Sequence, residues 1–430
     1  MGVVRRGACH AVTAPNIKRL LAICWEMPPL SGPRAVQVTR TLAALPAYGW
    51  RSRVICFGPR SNRYHQDHRV SLESLSGGQA SLIPVPSPEE WFVFRALWRL
   101  VPPVKHFPDE KRVWIPGALR AARQAIAATP VDLIVSFAQP WSNHLVGLRL
   151  ARETGLPWVA HFSDPWVDSP YFRRQGVIRR RAEAWERDVI ASATRVIFVN
   201  AHARERVMAK YPASWKAKSV VIPQAFEPAT DTARSLAPDR PMRVVYTGRF
   251  YPGIRTPDAL LRAIAQVHRE SSLQGRIIVE LVGADMTPYA RQSSRLRLDG
   301  LVSFSGRMPP AAARARAASA DVLLVIDAGG EGRSLFLPSK LIDYLPLRRP
   351  ILGLTPPIGP SADLIRELGY HVVPSDDVAK IASALRELLK AHAAGRLVAS
   401  LQHDSVAERF SIARTTVRFA DLFEEAIEAR

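Results

Sequence analysis

Short apolar runs recur along the chain with amphipathic stretches between them. RLLAIC, RVICF, VDLIVSF, LPWVAHF, RVIFV and SVVIP have the length and the Val, Ile and Phe content of buried strands. Between them, PRAVQVTRTLAALPAYG, GALRAARQAIAA, WSNHLVGLRLARETG and RRRAEAWERDVIASA repeat apolar residues three and four apart, the period of a helix with one buried face. The pattern restarts after residue 241 with RVVYTG, RIIVELVG, LVSFSG, DVLLVID, RPILGL and YHVVP. PDALLRAIAQVHRE, PAAARARAASA, SKLIDYLPL, ADLIRELG and DVAKIASALRELLKA fill the gaps. Strands that alternate with helices in this way form parallel sheets covered on both faces. The expected fold class is therefore α/β, with two Rossmann-like domains facing across a cleft at the C-terminal ends of their strands.

The same pattern sets the expected boundaries. Residues 1–16 form a tail, 17–228 a first domain interrupted by an insertion over 58–115, 229–241 a linker, 242–404 a second domain, and 405–430 a closing amphipathic helix. The stretch around the linker, QAFEPATDTARSLAPDRP, lacks periodicity and is rich in Pro, Asp and Thr. Inside the insertion, EEWFVFRALWRLVPP places Trp91, Phe94, Leu97, Trp98 and Val101 at helical spacing, with Arg95 and Arg99 among them. That pattern suits a helix lying on lipid headgroups. It equally suits a helix packed on its own domain.

Charge narrows the partners. Lys and Arg exceed Asp and Glu by 59 to 38, a formal net charge of +21, which suits an acidic membrane surface or a phosphate-rich substrate. Nine of those cations are Lys, and no zinc finger, RNP-like aromatic motif or basic helix occurs, so no nucleic-acid partner is expected. The cysteines, at 9, 24 and 56, form neither a CxxC nor a paired framework, which fits a reduced, cytoplasmic compartment. No apolar stretch reaches the roughly eighteen residues of a membrane span, so attachment at the inner membrane face would be peripheral.

The chain has no P-loop, GxGxxG, HExxH or Asp-x-Asp. A bound phosphate would then be neutralised by side-chain cations and backbone N–H groups, with no metal and no resident cofactor. VVYTGRFYPGIRTPDALLRAI supplies Gly248, Arg249 and Arg255 between a strand and a helix, where forked guanidinium donors and a helix start both favour oxyanions. DVLLVIDAGGEGRSLFLPSKLIDYLPL ends a strand at Asp327 and runs through a Gly-rich loop to Pro338, Ser339, Lys340 and Asp343. There Lys340 adds a point charge, and Asp343, one turn on, suits ribose hydroxyls. In LLAICWEMPPLSGPRAVQV, Gly32 permits close backbone approach and Arg34 opens the next helix. VAHFSDPWVDSP puts His161 and Asp164 where a buried strand breaks into a loop, with Trp166 packed behind and Asp168 in the turn.

Taken in order, these segments resemble the GT-B glycosyltransferases of family 4, often called glycosyltransferase group 1, over roughly residues 17–425. EMPPLSGPRA, the stretch from VDLIVSF to HFSDPW, VVYTGRFY and LPSKLIDYLPLRRPIL are most similar to a subgroup that builds bacterial surface polysaccharides such as lipopolysaccharide. The resemblance implies a retaining, metal-independent hexosyl transfer from a nucleotide-diphosphate sugar to a lipid-linked or polysaccharide acceptor. By it, Gly32, Gly248, Arg249, Arg255, Ser339 and Lys340 hold the donor diphosphate, and Asp343, Glu331 and Leu337 the ribose or sugar. His161 falls where many members carry an active-site histidine, and Asp164 beside it would orient that histidine or receive the acceptor's proton. The subgroup's Asp-Phe-Arg-Asp-Pro-Trp reads His-Phe-Ser-Asp-Pro-Trp here, and the first acid of the family's Glu-x7-Glu motif is Leu335. The departures leave two alternatives standing: a non-catalytic sugar-nucleotide or polysaccharide-binding partner, and a GT-B sugar-nucleotide epimerase. The last helix of such folds crosses back to the first domain and couples closure to donor binding.

Overall fold

The computed structural model describes residues 17–429 apart from 62–63, 65, 69, 101–106, 229–239, 271–274, 284–285 and 328–331, and at Arg95, Trp98 and Arg99 the backbone alone. The expected tail, most of the expected linker, and Glu331 lie outside the described residues.

Strands β1 (Lys18–Ile23), β2 (Trp50–Phe57), β3 (Ala80–Val85), β4 (Leu133–Phe137), β5 (Trp158–Phe162), β6 (Arg195–Phe198) and β7 (Ser219–Val221) form one sheet in the order β3-β2-β1-β4-β5-β6-β7. A second sheet holds β8 (Met242–Thr247), β9 (Ile277–Val282), β10 (Val302–Phe304), β11 (Val322–Ile326), β12 (Ile351–Leu354) and β13 (Val372–Val373), ordered β10-β9-β8-β11-β12-β13. Neighbouring strands pair in parallel throughout. Every residue of β4, β5 and β11 is buried, which is why these segments read as unbroken apolar runs. Strand order reverses between β1 and β4 and again between β8 and β11. Loops leaving those strands splay apart and open a crevice. This is the GT-B architecture.

Three expectations need correction. The stretch 58–115 is not wholly an insertion, because β3 pairs with β2 and completes the first sheet. Its burial alternates weakly along ASLIPV, as befits an edge strand, and Pro84 is tolerated there. The helix Phe92–Arg99 does form within that stretch, but Trp91, Phe92 and Leu97 face outward while Phe94 is half-buried, so its described apolar side chains are not all packed on its own domain; Val101 lies outside the described residues.

The third correction concerns the closing segment, which is two helices rather than one. His403–Glu408 stays with the second domain, where His403 Nε2 donates to the Leu345 carbonyl at 2.7 Å and the Tyr370 hydroxyl donates to Nδ1 at 2.7 Å. Ile412–Glu428, capped by the Ser411 hydroxyl accepting from Arg414 N at 3.3 Å, is the part that crosses back. It lays Phe419, Leu422 and Phe423 on the core of the first sheet, with Phe423 meeting Trp50 edge-on at 5.4 Å.

Candidate active site

The two sets of switch-point loops enclose a cleft of about 740 Å³ between the domains. Arg249, Arg255 and Lys340 all line it, although they come from different loops of the second domain.

Lys340 is the second residue of the short helix Ser339–Tyr344. Its Nζ is buried, has no hydrogen-bond partner and lies 3.7 Å from the centroid of the Tyr246 ring. Burial pushes the amine well below the usual lysine range; the nearby Arg255 guanidinium acts in the same direction and Asp327 opposes it. An amine held over an aromatic face with its hydrogen-bonding capacity unspent is poised to take up a proton and hold an oxyanion. Gly248 makes the placement possible. Its φ of 144° favours glycine, and a Cβ there would overlap Lys340 Nζ.

Arg255 leaves a tight loop in which Tyr251 and Arg255 exchange backbone hydrogen bonds of 2.9 and 2.8 Å. Its Nη2 lies 3.5 Å from Asp327 Oδ1, the other Asp327 oxygen accepts from Ser361 Oγ at 2.9 Å, and its Nε has no partner. Arg249 is exposed at the cleft edge. Its guanidinium carbon and that of Arg255 lie 5.9 and 5.7 Å from the Tyr251 ring, so one aromatic ring steadies both.

The opposite wall carries the carboxyls of Asp164 and Glu26 with Arg34 beside them. Asp164 accepts from Ser163 Oγ at 3.0 Å and from Gln139 Nε2 at 3.4 Å. Burial raises its pKa, moderated by Arg34, the Ser163 hydrogen bond and Arg255. The loop behind it is pinned. Glu186 accepts from Val167 N at 3.2 Å and from Lys210 at 2.5 Å, and Trp166 stacks on Trp141 with centroids 4.8 Å apart. Asp168, expected simply to sit in the turn, anchors it by accepting from Arg206 at 3.1 Å and Lys210 at 2.5 Å.

Glu26 also lines the cleft and was missed in the sequence. Its pKa is raised by burial against the pull of Arg34, Arg307 and Lys111. Gly32, at the cap of the first helix, leaves room for that carboxylate, since a Cβ there would overlap Glu26 Oε1.

His161 is placed differently from Asp164. Its ring stacks on Phe419 of the returning helix at 5.9 Å and lies 5.2 Å from Phe137, and it does not line the cleft. Nδ1 has no partner, and burial together with Arg34 holds the imidazole well below its usual pKa, hence neutral. Asp343 lines the cleft and a smaller adjoining recess with Gln37, Thr247, Arg314 and Ser339, but its carboxylate is engaged. Arg40 of the first domain donates to it at 2.6 Å and to the Ala225 carbonyl at 3.1 Å. No sequence pattern couples residues 40 and 343. Leu337 lines the cleft, and the carbonyl of Leu335 accepts from Asn200 Nδ2 at 3.1 Å across the domain boundary.

Two family matches assign the chain to a sugar-transferring class. Residues 34–225 match the family described as "Glycosyl transferase 4-like domain" and residues 241–391 match "Glycosyl transferases group 1". The chain belongs to the group 1 glycosyltransferases, family 4. No curated relative matches it. Among solved structures it is similar to sucrose-phosphate synthase from Thermosynechococcus elongatus, at 17% identity and TM-score 0.70, covering 96% of this chain and 100% of that one. It is also similar to a glycosyltransferase from Rickettsia africae, at 13% identity and TM-score 0.65, covering 96% and 99%. The lipopolysaccharide outer core galactosyltransferase WaaB is a third, at 14% identity and TM-score 0.61, covering 95% and 99%. These likenesses are likenesses of fold.

Proposed function

We propose that the protein moves a hexose, with retention at the anomeric carbon, from a nucleotide-diphosphate sugar to a lipid-linked or polysaccharide acceptor of a cell-surface glycan. The observation that carries this reading is the buried, unpartnered Nζ of Lys340 beside Arg255 in the interdomain cleft. A diphosphate satisfies both groups at once. As the glycosidic bond breaks, negative charge grows on the leaving phosphate oxygen. Lys340, Arg255 and Arg249 are the fixed cations that receive it, so no bound metal is required and no cofactor beyond the donor itself. The Ser339 backbone completes the diphosphate seat, Gly248, whose N–H donates to the Val282 carbonyl at 2.8 Å, serves by leaving room for Lys340, and Asp343 and Leu337 border the ribose and sugar. Release of Asp343 from Arg40 would accompany donor entry.

On the facing wall, Asp164 accepts or relays the proton of the acceptor hydroxyl, which the leaving phosphate can also take in a front-face displacement. His161 lies just behind it, neutral and packed on the returning helix, and links closure of that helix to the loop bearing Asp164. The acceptor reading draws on the family's surface-polysaccharide subgroup, and is in keeping with the fold shared with WaaB. Among the described residues no helix is long and apolar enough to cross a membrane. The reaction is assigned to the cytoplasmic side, where nucleotide sugars are made.

Purified protein incubated with labelled UDP-, GDP- and dTDP-sugars tests the proposal by formation of a glycosylated acceptor or slow donor hydrolysis. Leu335, which leaves the family's first acidic position without a carboxylate, favours the second reading of a non-catalytic binding partner. Tight donor binding with neither transfer nor hydrolysis establishes that alternative, and an altered sugar on intact nucleotide establishes an epimerase.

A further inference from the structure

The densest run of exposed apolar side chains on the described surface lies on and beside the helix Phe92–Arg99. Trp91 is 58% exposed, Phe92 76%, Val93 68%, Leu97 59% and Leu100 81%. Domains rarely leave such a patch in water unless something covers it.

The chain beyond this helix says what that is. It returns at Phe107, whose ring stacks on Trp185 at 4.9 Å and meets Phe172 at 6.4 Å. These rings flank a run of exposed arginines, Arg173, Arg174, Arg180 and Arg181, with the Arg181 guanidinium 4.9 Å from the Trp185 ring. The acids nearby are Glu183, which pairs with Arg179 at 2.9 Å, Asp109, which accepts from Ser142 Oγ at 2.7 Å, and Glu110, while Glu89 and Glu90 at the head of the apolar helix accept from Lys111 at 3.0 Å and from the Arg60 N–H at 2.8 Å. Seven residue steps span at most about 25 Å, which keeps the apolar helix within that reach of the Phe107 cluster and its arginines. A second copy of a chain carrying +21 is repelled from such a surface, whereas an anionic one is drawn to it.

We infer that this surface docks on an anionic phospholipid bilayer, Trp91, Phe92, Val93, Leu97 and Leu100 entering the headgroup–acyl boundary while the arginines meet lipid phosphates. A recess lined by Phe107, Glu110, Tyr171 and Arg173 opens there, and Tyr171 also lines the interdomain cleft. Docking would thus bring a membrane-borne acceptor to the cleft from the side that carries Asp164. That last step rests on the proposed function; docking itself needs neither donor nor acceptor.

Full-length protein is floated with phosphatidylcholine vesicles, with or without phosphatidylglycerol. The expected result is flotation with the mixed vesicles alone, weakened by salt, and at least about tenfold weaker for Phe92→Ser/Leu97→Ser/Leu100→Ser and for Arg173→Glu/Arg174→Glu. Because the three apolar side chains are exposed, the triple variant keeps its melting temperature and its nucleotide binding, which separates loss of docking from failure of the transferase reading. Absence of wild-type flotation, equal flotation of all three proteins, or a lipid-free dimer dispersed by the triple variant overturns the inference.

Discussion

Arg40 on the first helix of one domain donates to Asp343 of the other at 2.6 Å, and the same Nη1 reaches the Ala225 carbonyl at 3.1 Å. Arg40 is buried and Asp343 half-buried, so the pair is partly shielded from water. Removing Arg40 takes away the cation paired with the carboxylate, and removing Asp343 leaves the guanidinium only the Ala225 carbonyl and the Glu227 carboxylate at 3.7 Å. Asp343→Asn and Arg40→Met are each expected to cost about 1–3 kcal/mol, and their double mutant to cost less than the sum by more than about 0.5 kcal/mol. Chemical unfolding of the four proteins measures this. Additive losses mean the two side chains do not act together.

Lys340 is expected to behave in the opposite way. Its Nζ is buried without a partner, so Lys340→Met removes an unmet desolvation cost while keeping the side chain's bulk. The ligand-free variant should melt no lower than wild type, yet bind nucleotide diphosphate at least about tenfold more weakly. A fall in melting temperature with unchanged affinity would make Lys340 a structural residue.

The same amine sets a pH dependence. Its pKa in the folded chain lies well below the ordinary 10.5, so between the two values the unfolded chain binds the extra proton and stability rises with pH. Toward the acidic side of that window this contribution is lost, and in Lys340→Met the slope it causes disappears. A diphosphate beside the amine restores its proton. Titration calorimetry in buffers of different ionisation enthalpy should therefore show proton uptake on nucleotide binding in wild type and less in Lys340→Met.

For Asp164, burial raises the carboxyl above the ordinary aspartate value of 3.8. If the ionised form takes part in transfer, activity declines as pH falls through that raised pKa. Asp164→Asn should lower kcat at least about tenfold with folding intact and abolish this acid limb. A wild-type rate and profile in the variant removes Asp164 from the reaction.

The strands that cross both sheets were legible because they are apolar on both faces and bounded by helices of clear period. Strand β3 was not, because ASLIPV at a sheet edge carries Ser and Pro and is buried only at its ends. The break at 409–411 was also hidden, since RFS has neither Gly nor Pro and only the Ser411 cap marks the new helix. Within the cleft, Arg249, Arg255 and Lys340 could be read from their places at strand ends, whereas Glu26 and Arg40 depend on contacts made across loops and domains. His161 was legible as chemistry but not as packing. Its partner Phe419 lies far along the chain, on the helix that crosses back.

Nucleotide titration of the wild-type chain and of three variants decides whether the cationic wall holds a diphosphate. With UDP, GDP or dTDP at about a hundred times its Kd, wild type should gain about 2.7 kcal/mol of stability. Arg255→Met and Lys340→Met should each weaken that ligand at least about tenfold, while Lys380→Ala, whose ammonium pairs with Asp377 at the surface at 3.0 Å, should not. Should none of the three nucleotides bind, or should all four proteins bind alike, the cleft is not a diphosphate site and the sugar-transfer assignment falls with it.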